Sequence, residues 1–196
     1  MNKILAALML MIITPLTHAK DDPSVFLEQV ASDMIAKVEK NKEELKTNSL
    51  LAEKLVKETL LPAIDTESFA RKTLSSKTWQ TLSEDQQARF INQFINLVVG
   101  NYATGLSLYN GQIFTFSKPH YSKSGDYARV RSSMEQTGST PIIIDYVLSI
   151  KTGSWKITDL TIEGVSMSKS YRSQFLPRIN SMGLEAFLAE MEVKKS

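Results

Sequence analysis

Residues 142–163 read IIIDYVLSIKTGSWKITDLTIE, and this stretch decides the fold class. Ile142, Ile144, Tyr146, Leu148 and Ile150 fall on one face; Ile143, Asp145, Val147 and Ser149 fall on the other. A period of two is that of a strand, whose successive side chains point to opposite faces. One face is fully apolar and the other mixed. Thr152-Gly153 interrupts the pattern and a second strand runs from Ser154 to Glu163. Strands joined by so short a link pair antiparallel. Within the second strand, Trp155 and Ile157 share one parity while Leu160 and Ile162 take the opposite one. That slip predicts a bulge near Thr158-Asp159, or burial on both faces.

The same period extends upstream. Strands are predicted at Gln112–Lys118, at Asp126–Gln136 after the turn signal Ser124-Gly125, and at Ile142–Lys151 after Gly138 and Pro141. With Ser154–Glu163 they make a four-stranded antiparallel sheet. Tyr127, Arg129 and Arg131 share a strand face, either an exposed basic strip that contacts a partner or lipid headgroups, or solvated strand residues.

Before Asn110-Gly111 the period is helical. Asp22-Pro23 places an N-cap and a first-turn proline. Phe26, Val30, Met34 and Val38 follow at spacings of four, predicting a helix to about Leu45. A second helix from about Leu50 carries Leu51, Leu55 and Val56 and stops before Pro62. Asp65 caps a short third helix with Phe69 and Leu74. Ser83-Glu84-Asp85-Gln86 is a capping box. The helix it opens is apolar over half its circumference, through Phe90, Phe94, Ile95, Val98, Val99, Tyr102, Leu106 and Tyr109. Such a helix is either a central core helix or one that also lines a cavity. After Gly164, Tyr171, Phe175 and Ile179 mark another helix, and Leu184–Val193 a last one. Helices, then consecutive strands, then helices give an α+β fold with helices packed on an antiparallel sheet.

The first nineteen residues belong to a different problem. Lys3, the apolar run Ile4–Leu16 and Thr17-His18-Ala19 form a secretory signal peptide cleaved after Ala19. The run is too short for the roughly 20 residues that span a bilayer. Residues 20–196 then form one domain exported to a bacterial periplasm.

Composition removes most chemistry. The 196 residues contain no cysteine, so disulfides, Cys-ligated zinc, iron–sulfur clusters and thiol catalysis are excluded. Lys+Arg total 23 against 21 Asp+Glu, which leaves no charge excess for nucleic acid. The two histidines, His18 and His120, cannot build a polyhistidine metal site, and His120 falls in a predicted loop. No H-E-x-x-H, G-x-S-x-G or phosphate-cradling glycine loop is present. Asp145 and Asp159 sit in apolar strands, where either could serve as a raised-pKa base. The competing reading is a carboxylate on a solvated face or one bonded to backbone at a bulge.

Several segments together resemble one known family. They are Leu60-Leu61-Pro62 with Asp65, Phe69 and Ala70; Trp79 and Leu82-Ser83 with Gln86, Phe90 and Phe94; and Tyr102-Ala103 with Leu106 and Tyr109. Trp155 with Asp159, Glu163-Gly164-Val165-Ser166 and Tyr171-Arg172-Ser173-Gln174-Phe175 complete the series. Ser75 and Ser170 stand where a glycine and an asparagine are usual. In order and spacing these segments resemble the MlaC-like (toluene-tolerance) family of periplasmic phospholipid-binding proteins, which serve outer-membrane lipid asymmetry.

The resemblance implies an NTF2-like curved sheet against several helices, with an apolar cavity for acyl chains and the headgroup in water. It implies a non-enzymatic carrier, monomeric, without metal or cofactor, whose cargo is phospholipid. The implied partners are an inner-membrane ABC complex with an MCE-domain protein and an outer-membrane lipoprotein–porin complex. The side chains expected to bind lipid are Phe94, Val98, Tyr102, Leu106, Phe114, Phe116, Val130, Ile144, Tyr146, Leu148, Trp155, Ile157, Val165 and Phe175. The alternative is an NTF2-like periplasmic enzyme that uses Asp145 or Asp159 inside an apolar pocket.

Overall fold

The computed structural model describes residues 22–193, so the signal-peptide reading of residues 1–19 lies outside the described residues. Helix α1 spans Pro23–Lys40, with the Asp22 carboxylate accepting from the Ser24 N–H at 2.8 Å. It stops earlier than the apolar spacing predicts. Asn41 turns its own amide onto the Lys37 carbonyl at 2.7 Å, and the chain restarts as α2, Lys42–Leu45. An asparagine that bonds the local backbone competes with helix continuation. Next come α3 (Ser49–Leu55), a wide π turn over Val56–Leu60, a 3-10 turn at Leu61–Ala63 and α4 (Thr66–Lys72).

Asp65 caps α4 as expected, accepting from the Ser68 N–H at 2.9 Å. Helix α5, Ser76–Thr81, was not legible in the pattern; Ser75 caps it through the Thr78 N–H. The capping box at Ser83 and Gln86 is formed in both directions and opens α6, Glu84–Ala103. The apolar pattern runs on to Tyr109, but α6 ends at Ala103 and tightens into a 3-10 strap, Thr104–Leu108.

The described residues form a six-stranded antiparallel sheet: β1 (Ile113–Phe116), β2 (His120–Tyr121), β3 (Tyr127–Glu135), β4 (Ile142–Ser149), β5 (Lys156–Ile162) and β6 (Val165–Ser166). The four predicted strands are the four long ones, and β2 and β6 add two residues each. His120 is therefore in a short strand and not in a loop: it pairs with Arg129 on β3. Both β1 and β2 pair with β3, and β4, β5 and β6 follow in order. The predicted bulge is present. Leu148 pairs with Ile157 and Val147 with Asp159, which leaves Thr158 as the extra residue. Trp155 sits just before β5. Between β5 and β6, Glu163 (φ 49°) and Gly164 (φ 80°) both adopt left-handed backbone, as a two-residue type I′ hairpin requires.

The bulge is clamped from the helical side. Lys72 on α4 donates to the Thr158 hydroxyl at 2.7 Å and carbonyl at 3.1 Å. Asp159 accepts from the Ser168 hydroxyl at 2.7 Å, the Ser166 hydroxyl at 3.2 Å and the Ser168 N–H at 3.2 Å. These bonds hold the start of α7, Met167–Met182, against β5. Gly183 (φ 81°) then turns the chain into α8, Leu184–Val193.

Two apolar cores result. The first is helical: Phe94 stands edge-on to Phe69 (5.5 Å), Tyr171 (5.3 Å) and Phe175 (6.2 Å), and stacks on Phe90 (6.3 Å). The second lies between α1 and the sheet and contains Leu27, Ala63, Ala128, Val130, Leu148, Trp155 and Ile157. Leu160 and Ile64 touch both.

Candidate functional site

An apolar cavity of about 690 Å³ opens between α1, the strap and the inner face of the sheet. That volume lies within the ~300–1,000 Å³ of ligand pockets. From α1 come Leu27, Val30, Ala31, Met34, Ile35 and Val38. Leu60 and Ile64 come from the turns after α3. The strap and its continuation give Gly105, Leu106, Leu108, Tyr109 and Gln112. The sheet gives Phe114, Phe116, Met134, Gln136, Tyr146, Ile157 and Leu160. Leu27, Met34, Val38 and Ile157 are buried and form the floor; Gly105, Leu108 and Gln136 are exposed and mark the mouth.

Polar groups gather where the cavity opens. The Gln112 amide donates to the Gln136 carbonyl oxygen at 3.1 Å, and its own oxygen accepts from the Asn110 N–H at 2.7 Å. The Tyr109 phenol is pushed above its ordinary pKa, first by burial and then by the Glu39 carboxylate to which it is hydrogen-bonded. Deeper in, burial raises the Tyr146 phenol, with a partial offset from its bond to Ser132. None of the lining residues is Asp, Glu, His, Lys or Arg. The cavity can dissolve hydrocarbon and offers amide groups at its mouth, and its only ionisable groups among the described residues are the phenols of Tyr109 and Tyr146.

Leu106, Phe114, Phe116, Tyr146 and Ile157 line this cavity. The other side chains expected to bind lipid sit elsewhere. Phe94 and Phe175 are buried in the helical core, and Val98 packs against it. Val130, Leu148 and Trp155 are buried in the core beneath α1. Tyr102 is 50% exposed and donates to the Met167 sulfur at 3.6 Å. Val165 is 59% exposed on β6, and Ile144 is partly buried on β4 without reaching the cavity. For α6 itself the central-core reading holds; only the strap that prolongs it reaches the cavity.

The α1 contribution was missed. Its signal was present, since Ala31 and Ile35 widen the stripe of Val30, Met34 and Val38 beyond one core seam.

The carboxylates weighed as catalytic bases are both outside the cavity. Asp145 lies on the outer face of the sheet, joined to Arg131 by bonds of 2.9 and 3.1 Å. Asp159 is bonded at the bulge. His120, with Tyr127, Arg129 and Arg131, borders a separate groove on the outer face. Lys72 is drawn below its ordinary pKa, chiefly by burial and against the attraction of Asp159. Among the described residues no cluster of His, Cys, Asp and Glu could hold a metal ion, and no helix is long and apolar enough to cross a membrane.

Comparison with known proteins bears on this geometry. A family model described as "MlaC protein" matches residues 28–193. The chain is 23% identical over 188 residues to the "Intermembrane phospholipid transport system binding protein MlaC" of Haemophilus influenzae, covering 94% of this chain and 87% of that one. It is 24% identical over 170 residues to the "Toluene tolerance protein ttg2D" of Pseudomonas putida, covering 86% and 78%. A crystallised phospholipid-binding protein from Ralstonia solanacearum, in complex with a phospholipid, matches the fold with a TM-score of 0.79 at 23% identity. It covers 89% of this chain and 98% of its own.

Proposed function

The chain belongs to the MlaC family, and from that premise we propose that it is a phospholipid-binding carrier with acyl chains in the cavity and the headgroup at the mouth. The observation that carries this reading is the lining: about 690 Å³ of apolar space with no charged side chain facing it. Each methylene taken from water contributes ~0.8 kcal/mol, and two acyl chains bring on the order of 30 of them. A carrier must match the apolar environment of a bilayer without greatly exceeding it, or the cargo would be trapped. A lining of Val, Leu, Ile, Met and Phe gives such solvation with loose chain preference, because one methylene discriminates weakly.

In the same reading residues 1–19 are a signal peptide and residues 20–196 a single domain that works in the periplasm as a monomer. The partners are the inner-membrane ABC complex with its MCE-domain protein and the outer-membrane lipoprotein–porin complex, between which phospholipid is shuttled. Phe114, Phe116, Tyr146, Ile157 and Leu106 are assigned to the acyl chains, joined by Val30, Met34, Val38 and Leu160. No catalytic step is assigned, since Asp145 and Asp159 are committed to bonds outside the cavity.

Organic extraction of protein purified from bacteria, followed by mass spectrometry, tests the proposal. A single cavity of this size predicts about one diacyl phospholipid per chain. Protein that is repeatedly empty, and that also takes no lipid from vesicles, would overturn it.

A further inference from the structure

The wall that β1 and β3 give the cavity ends in two amides. Phe114 pairs with Met134 across these strands, and both line the cavity. Two residues beyond that pair, Gln112 and Gln136 face the same way, as strand alternation requires, and both belong to the lining. Gln112 is half-buried and Gln136 exposed, so hydrocarbon gives way to amide where the cavity meets water.

The backbone fixes the direction of both amides. The Asn110 N–H lies 2.7 Å from Gln112 Oε1, and only an oxygen can accept from it. Gln112 Nε2 is thereby left to donate to Gln136 Oε1 at 3.1 Å. Each amide oxygen then holds a donor. The second hydrogen of Gln112 Nε2 and both hydrogens of Gln136 Nε2 meet no acceptor among the described residues. The Tyr109 hydroxyl is bonded to the Glu39 carboxylate, which commits its proton. Gly105 and Leu108, which share the mouth, have no polar side chain. The mouth is therefore a place of N–H donors waiting for an acceptor.

We infer that Gln112 and Gln136 form a hydrogen-bond donor site for the oxygens that join the cargo's acyl chains to its headgroup, either ester carbonyls or phosphodiester oxygens. The inference rests on the carrier reading, which puts the acyl chains in the cavity and so brings that junction to the mouth. Seated there, the junction displaces the water that otherwise pairs with the free amide hydrogens. A cargo without acceptors leaves them unpaired, and a site built to donate discriminates against such an analogue. A neutral amide reads an oxygen and not a net charge. With no Lys, Arg or His in the lining, the site reads what phospholipids share and not the substituent that distinguishes them.

Purified protein is exchanged against vesicles of dioleoylphosphatidylcholine mixed with its dialkyl ether analogue, and separately against vesicles of dioleoylphosphatidylcholine mixed with dioleoylglycerol. The first pair differs in the ester carbonyls and the second in the phosphodiester. Lipid extracted from the re-isolated protein, normalised to vesicle composition, gives a preference for each pair. Wild-type protein is expected to favour the lipid that has the acceptor by about fivefold in at least one pair, the scale of one or two hydrogen bonds. Gln136→Leu should bring that preference close to unity. Collapse of the first preference names the carbonyls as the acceptor, and collapse of the second names the phosphodiester. Gln136→Glu keeps an oxygen for Gln112 Nε2 but donates nothing, and in the first pair it should behave as Gln136→Leu does. Gln136 is exposed, so both variants should melt with the wild type. Preferences that are the same in the wild type and in both folded variants would overturn the inference while leaving the carrier reading in place. Protein that takes up no lipid from either kind of vesicle would overturn the carrier reading, and the inference with it.

Discussion

Arg131 and Asp145 face each other across β3 and β4 and are joined twice, Nε to Oδ1 at 2.9 Å and Nη2 to Oδ2 at 3.1 Å. The pair lies on the outer face of the sheet, opposite the cavity. The hydrogen bond, and then the charge of Asp145, hold the Arg131 guanidinium above its ordinary pKa. A carboxylate engaged in this way is not poised to abstract a proton. Asp145→Asn is therefore expected to leave lipid loading and lipid delivery unchanged, with little effect on thermal melting, as for exposed ion pairs generally. Loss of all function in folded Asp145→Asn protein would restore the enzyme reading. The measurement is lipid per chain together with a melting curve.

The division between core and cavity makes a second expectation. Phe94 is fully buried among four aromatic neighbours, whereas Phe114 borders the cavity. Truncating a fully packed phenylalanine costs about 3–5 kcal/mol, and the loss is smaller where space is already open. Urea unfolding should show Phe94→Ala losing at least twice the stability that Phe114→Ala loses. The folded fraction of Phe94→Ala should still load lipid. Equal losses would mean that the helical core and the cavity wall are not separate.

What the sequence made legible follows from what periodicity encodes. It reports that a face is apolar and is silent on what covers that face. The strand pattern of Ile142–Ile150 and the parity slip at Thr158 are local, and both appear in the sheet. The capping box at Ser83 is equally local. Phe94 and Leu106 carry the same apolar signal on one continuous pattern, yet one is core and the other cavity wall. The helix tightens at Thr104 because the chain leaves α6 for the strap, and no residue spacing announces that change. The wall provided by Val30, Met34 and Val38 was hidden for a related reason: a stripe on α1 looks the same whether sheet, helix or empty space lies opposite.

Alkaline pH tests the burial of α7. Burial raises the Tyr171 phenol to about 12, with the Asn101 bond opposing it. Unfolded, the same phenol ionises near its ordinary value of 10. Between those values the unfolded chain has lost a proton that the folded chain keeps, so stability falls as pH rises from about 10 and levels off near 12. Tyr109, Tyr121 and Tyr146 are shifted in the same direction and add to the slope. Lys72, with its lowered pKa, works against it. Tyr171→Phe should make the decline in urea midpoint above pH 10 visibly shallower. An unchanged slope would place the Tyr171 hydroxyl in water.

The most direct test of the cavity is to occupy it or to charge it from two walls that share no backbone. Ala31 lies on α1 and Leu106 on the strap, and both line the apolar space. Ala31→Trp puts an indole where hydrocarbon would lie. Displacing even four methylenes forfeits ~3 kcal/mol of transfer free energy, more than a hundredfold in affinity. Leu106→Glu acts differently. An unpaired carboxylate in apolar surroundings costs several kcal/mol or takes up a proton, so lipid should be lost at neutral pH and partly regained near pH 5. Leu106→Gln has nearly the same shape and no charge, and should fall between the two. Leu106 also packs against the helical core, so each variant needs a melting curve beside its extracted lipid. Folded Ala31→Trp and folded Leu106→Glu that both retain a full complement of phospholipid at pH 7 would show that the acyl chains lie elsewhere.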